Sequence, residues 1–155
     1  MINLRGTTRN GSDALSREQA ARLGLGFYDV ALSSGRAPER ETLLRLANAL
    51  HMAEKPALLH CKSGADRAAF ASSVFILLQG GSTADALRQM SLRHGHLRRS
   101  RAGVLDAVLL RYRVSEGTIP FLDWVKAEYD SAAITSGFRA GGLSAFMQDR
   151  VLRRE

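Results

Sequence analysis

One stretch constrains this chain more than any other: His60-Cys61-Lys62-Ser63-Gly64-Ala65-Asp66-Arg67. It follows a short apolar run, Ala57-Leu58-Leu59, and opens a strongly apolar segment from Ala68 to Leu78. That order predicts a strand, a tight loop and a buried helix. A loop entering a helix presents unpaired backbone N–H groups at the positive end of the helix dipole, which makes an anion site. Gly64 has the φ/ψ freedom to let the backbone wrap around a phosphate-sized ion. Arg67 offers a planar fork of donors that matches two oxygens of such an ion. The same field is expected to depress the pKa of Cys61, so that it is a thiolate at neutral pH. Cys61 is the only cysteine, which rules out an intramolecular disulfide.

Read as His-Cys-five residues-Arg, the stretch resembles the signature loop of the cysteine-based protein tyrosine phosphatases, and Cys61 to Arg67 looks closest to their bacterial dual-specificity-like branch. The resemblance implies an α/β fold of phosphotyrosine-phosphatase type, with a central mixed sheet flanked by helices and a helix-rich C-terminal half. It implies a phosphomonoester hydrolase that works through a cysteinyl-phosphate and needs no metal or other cofactor. Cys61 takes the role of nucleophile and Arg67 that of phosphate clamp. Lys62, Ser63, Gly64, Ala65 and Asp66 complete the phosphate-binding loop, whose occupant would be a phosphate or sulfate ion. His60 takes a supporting role, organising the loop and lowering the thiol pKa. Most relatives place Ser or Thr directly after the loop arginine; here that residue is Ala68, which implies less support for the departing sulfur.

In-line attack by a thiolate calls for a group that protonates the leaving oxygen. Asp29 stands 32 residues before Cys61 and is the only Asp between Asp13 and Asp66. It lies at the carboxyl end of a predicted strand, where α/β proteins build their sites. The text from Leu23 to Asp29 is similar to the strand and acid loop of dual-specificity phosphatases, and the resemblance implies Asp29 as general acid. Glu39 and Glu41 are weaker candidates, because both fall at a helix start where acids are favoured anyway. Asp66 is peculiar beside an anion site, although the helix dipole stabilises it there.

The resemblance runs from about residue 2 to residue 130, taken as one phosphatase-like domain, with 131–155 as a C-terminal loop and short helix or tail of the same domain. Relatives carry a further strand region ahead of Leu4-Arg5, so the N-terminal edge is expected to be truncated. In order, strands are predicted at Ile2–Arg5, Leu25–Leu32 and up to His60. Helices are predicted after a Ser16–Gln19 capping box, from Pro38 to Leu50, from Ala68 to Leu78, after a Ser82–Asp85 cap, from Val104 to Tyr112, and after Pro120. Ser131 to Gly142 reads as a surface loop and Leu143 to Leu152 as a last helix.

The net charge is +7, from 22 basic and 15 acidic residues, and no apolar run reaches membrane-spanning length. A cytoplasmic location is expected, apart from anything an upstream targeting segment would add. Between Arg88 and Arg113 arginines stand at 88, 93, 98, 99, 101, 111 and 113 against one acid, Asp106. This stretch suggests weak contact with an anionic membrane. Nucleic acid is not expected as a partner, since a single aromatic residue, Tyr112, stands among these arginines and does not make a base-stacking surface. His94-Gly95-His96 lacks a third ligand type and is not read as a metal site.

The expected partner is therefore a phosphorylated protein, or a phospholipid if Lys62 at the loop mouth selects an acidic headgroup. A rhodanese-type sulfurtransferase and a catalytically silent phosphate-binding module are the competing readings. The first would have no need of Asp29, and the second would have little use for a reactive thiol.

Overall fold

Three short strands meet at the start of the chain in a computed structural model that describes residues 1–8 and 10–138. β1 (Ile2–Asn3) lies between β2 (Tyr28–Asp29) and β3 (Leu59–His60), and both neighbours run parallel to it. Asn3 is the register point, opposite Asp29 on one side and His60 on the other. The ladder continues past the strand ends: Leu4 donates to His60 O at 2.8 Å, and Val30 donates to Asn3 O at 2.9 Å.

The expected mixed sheet is corrected here. Among the described residues the sheet is small, open and wholly parallel. The reason lies in the connections, because a helix follows each of the first two strands and a crossover of that kind returns the chain in the same direction. The strand expected over Leu25–Leu32 is also shorter. Leu25 is exposed, whereas Val30 and Leu32 are buried and extend the β2 ladder.

The first crossover is α1 (Gly11–Arg22), and it begins well before the predicted capping box. Asn10 is its N-cap residue, and Ser16 lies mid-helix with its hydroxyl donating to Ser12 O at 2.8 Å. A hydroxyl satisfied one turn back has no part in capping. The second crossover, α2 (Arg40–Met52), buries Leu43, Leu46, Ala47, Ala49 and Leu50 on one face.

α3 (Asp66–Leu78) is the axis of the domain, apolar nearly all round as its sequence predicts. Phe70, Ala71 and Val74 are fully buried. Of the two serines at its centre Ser73 is the buried one, and its hydroxyl donates to Ala86 O at 2.7 Å, tying α3 to α4 (Thr83–Gln89). A buried hydroxyl with partners adds specificity without leaving an orphan donor. The Ser82–Asp85 capping box of α4 forms as expected. Gly95, expected to close that helix, instead ends a separate 3-10 turn at Leu92–His94.

The remaining helices are α5 (Gly103–Tyr112), α6 (Phe121–Ala127) and α7 (Ser131–Gly137). Pro120 is the N-cap residue of α6, which buries Phe121, Trp124 and Val125. α7 replaces the first half of the loop expected over Ser131–Gly142. Asp130 caps it by accepting from Ala133 N at 2.9 Å, and Ile134 is buried. Small residues are compatible with a helix once a cap and one apolar anchor are supplied. The start of α2 holds this end of the chain: Tyr129 Oη donates to Pro38 O at 2.6 Å and Ser131 Oγ to Glu39 at 2.7 Å. The helix expected over Leu143–Leu152 lies outside the described residues. No helix among those described is long and apolar enough to cross a membrane.

Candidate active site

β3 ends at His60, and the chain turns through Cys61–Ala65 into the amino end of α3. Gly64 takes a left-handed φ of +71° and Ala65 a φ of −96° with ψ of −105°, so the turn bends its amide groups inward instead of continuing the strand. A side chain at position 64 would meet no neighbour, so the glycine is required for its conformation alone. Cys61 is half-buried at the base of the loop, while Lys62 and Ser63 are exposed at its mouth.

Burial pushes the Cys61 thiol up, but the backbone N–H groups of Ser63, Ala68 and Gly64 and the positive charge of Arg67 outweigh it. The net result is a pKa below the ordinary thiol value. Alkylation of native protein by iodoacetamide is therefore expected to show a midpoint below that of a free cysteine, rising to the free value after denaturation. A midpoint at or above the free-cysteine value would remove the activated thiol. The Ala68 amide does for the sulfur part of what a hydroxyl at that position would do.

Arg67 directs Nη1 toward Leu32 O at 3.5 Å, at the end of the β2 ladder. Three residues further on, Gly35 leaves room for the Arg101 guanidinium, which would lie 3.6 Å from a β-carbon there. The loop, the segment after β2 and the segment before α5 thus converge on one rim. Gly95, with a φ of +76°, comes so near the loop that a β-carbon on it would sit 3.3 Å from that of Ala65.

His60 makes no side-chain hydrogen bond among the described residues, and its Nε2 is buried without a partner. Its ring meets Phe27 edge-on at 6.4 Å. Burial, and then the charge of Arg5, lower its pKa, so it is a neutral ring at neutral pH. The charge that favours the thiolate therefore comes from Arg67 and the amides.

Asp29 stands on β2 with β1 between it and β3, so its backbone is roughly 10 Å from that of His60, two strand spacings away. Its carboxylate is held by Asn3 Nδ2 at 2.9 Å and forked by Arg17, with Nη2 at 2.8 Å from one oxygen and Nη1 at 2.8 Å from the other. Arg17 also reaches Asp13 at 3.2 Å and lies over the Phe27 ring. Asn3 is fully buried and donates to both Asp13 and Asp29. Asp29 and the loop are thus at the same carboxyl end of the sheet, on opposite edge strands, and no hydrogen bond joins them among the described residues. Glu39 is turned away, accepting from Ser131.

Asp66, in the first turn of α3, does not stand alone. Its Oδ1 is 2.8 Å from Nδ1 of His96, whose Nε2 is 2.5 Å from Asp106 Oδ2. The other Asp106 oxygen accepts from Arg98 Nε at 2.9 Å. His96 and Asp106 are both fully buried. The two histidines of His94-Gly95-His96 have different partners, since His94 faces Ser91. Sequence spacing gives no hint of the Asp66–His96–Asp106–Arg98 chain, with one exception. Asp106 interrupts the apolar run Val104–Leu109, and a carboxylate in such a run needs a buried partner.

The arginine stretch is not a uniform face. Arg88 pairs with Asp85 and Arg98 with Asp106, while Arg93, Arg99, Arg101 and Arg113 are exposed with no ion pair among the described residues. Compared with protein-family models, with curated proteins and with solved structures, the chain matches none.

Proposed function

We propose that this chain is a metal-independent phosphomonoester hydrolase of the protein tyrosine and dual-specificity phosphatase type. One observation carries the reading: a cysteine with a lowered pKa sits at the base of a loop whose amides, helix dipole and arginine all favour an anion. Such a thiolate attacks phosphorus while the amides and Arg67 hold the equatorial oxygens. The S–P bond forms, the P–O bond to the leaving group breaks, and that oxygen takes a proton from a carboxylic acid. Water then attacks the phosphocysteine, inorganic phosphate leaves, and the thiolate is restored. The substrate is a phosphorylated protein, or a lipid phosphate treated in the same way.

Asp29 is the proposed acid, at the same carboxyl end of the sheet as the cradle. To donate a proton it must leave the Arg17 fork, so the acid loop works by exchanging Arg17 for the leaving group. Replacing Asp29 with Asn is expected to lower turnover of an alkyl phosphate by about 10²- to 10⁴-fold and to change an activated aryl phosphate little. Equal losses on the two substrates would make Asp29 a structural partner of Arg17 and Asn3. A turnover panel of phosphopeptides, phosphoinositides and thiosulfate tests the reaction class. Sulfur transfer without phosphate release would overturn the proposal.

A further inference from the structure

A carboxylate in the first turn beside an anion cradle poses an electrostatic problem. The helix dipole stabilises Asp66 and a nearby phosphate alike, but it does not remove the repulsion between the two. The chain of contacts behind the loop supplies the missing charge. We propose that His96 is a positioning residue of the anion site: as an imidazolium between Asp66 and Asp106 it neutralises Asp66 and holds that carboxylate back from the bound anion. The inference rests on reading Cys61–Arg67 as a phosphate site.

With both carboxylates ionised, the geometry requires two protons on this ring. Nδ1 faces Asp66 and Nε2 faces Asp106, and an ionised carboxylate only accepts. A neutral imidazole carries one N–H and would leave one carboxylate against a bare lone pair. Both ring nitrogens therefore donate, to carboxylates supplied by α3 on one side and α5 on the other. Among the described residues, the charged groups facing the ring are these two, with Arg98 beyond Asp106. The four charges alternate and sum to zero, so this group of side chains adds no net repulsion of a dianion.

The titration of the ring agrees with this arrangement. Burial lowers the His96 pKa, but hydrogen bonds to Asp106 and Asp66 and their charges raise it above the ordinary histidine value. A raised folded pKa gives stability that is fully present below the unfolded value, near 6.5, and lost as pH rises through the folded value. The same deprotonation uncovers Asp66. Anion affinity is then expected to fall on the alkaline side.

The backbone supports the same link. His96 N donates to Ser91 O at 3.1 Å, and Gly95 brings this segment against Ala65 of the loop. Loop and α5 are thereby joined through one buried ring.

The test uses inorganic sulfate, whose charge is constant across the neutral range, with binding read by calorimetry. Cys61 alkylation by iodoacetamide is measured on the same proteins. His96→Gln is expected to weaken sulfate binding by on the order of tenfold, the effect of one uncompensated charge a few ångström from a dianion. It should also raise the alkylation midpoint by about one pH unit. Adding Asp66→Asn to His96→Gln is expected to restore both, since no carboxylate then remains to be neutralised; a merely structural role for His96 would not be rescued this way. Sulfate affinity and alkylation unchanged in a folded His96→Gln protein, or a double variant as weak as the single, would overturn the inference. If His96→Gln does not fold, Asp66→Asn alone decides. Its sulfate affinity should fall less with rising pH than that of the native protein, and an identical fall would overturn the inference. Failure of the native protein to bind sulfate at all would instead sink the phosphate-site reading on which it rests.

Discussion

Cys61→Ser is expected to abolish turnover of every phosphomonoester while leaving inorganic phosphate bound almost as tightly as before. The two effects separate because they live on different atoms. Turnover needs the thiolate, and a serine hydroxyl at neutral pH has neither its charge nor its nucleophilicity. Binding needs the inward amides of Ser63 and Gly64, the amino end of α3, and Arg67, all of which remain. Arg67→Lys should behave differently and lose both. An ammonium cannot make the forked contact, and a charge-assisted bond worth about 1.5–3 kcal/mol corresponds to roughly ten- to hundredfold weaker phosphate binding. Phosphate release by the Cys61→Ser protein at the native rate would move the chemistry to another residue.

The largest effect on stability is expected far from the loop. Trp124 on α6 is 1% exposed, and its ring packs against Tyr112 at 5.4 Å, Phe121 at 5.9 Å and Tyr129 at 5.4 Å. Trp124→Ala removes the centre of this aromatic cluster. The lost transfer energy and the cavity together cost about 3–5 kcal/mol, a large part of the roughly 5–15 kcal/mol that a domain has. A midpoint drop on the order of 10 °C follows for a chain of this length. The cluster fastens the C-terminal helices to the start of α2 through Tyr129 and Pro38. Well below its melting temperature, the variant should keep the native alkylation profile of Cys61. A loss under about 1 kcal/mol would mean that the cluster relaxes around the cavity.

What the sequence made legible was local. The strand, loop and helix around Cys61 follow from an apolar run, a glycine and a second apolar run, and all three lie between Ala57 and Leu78. The Ser82–Asp85 box marks a helix start by short-range bonding, and Pro120 marks another by its fixed φ and missing N–H, both local effects. The direction of the sheet was not legible, because it depends on where the α1 and α2 crossovers return the chain. Nor was the start of α1, since Asn10 and the buried Asp13 replace the Ser16 box. Asp13 is held there by Arg17 one turn on and by Thr8 and Asn3, the last two contacts running in from outside the helix. The same limit hid the partner of Asp66, thirty residues away across the 3-10 turn. Pairs of this kind are made by packing. Periodicity reads one element at a time and does not report them.

The measurement that bears most directly on the account is chemical trapping of the intermediate. The native protein is mixed with an excess of an aryl phosphate, quenched in acid during turnover, and digested for mass spectrometry. The account predicts one phosphoryl group, carried on Cys61, lost when the protein is allowed to exhaust its substrate before the quench, and absent from the Cys61→Ser protein. Steady turnover with Cys61 unmodified, particularly turnover stopped by a chelator, would contradict it.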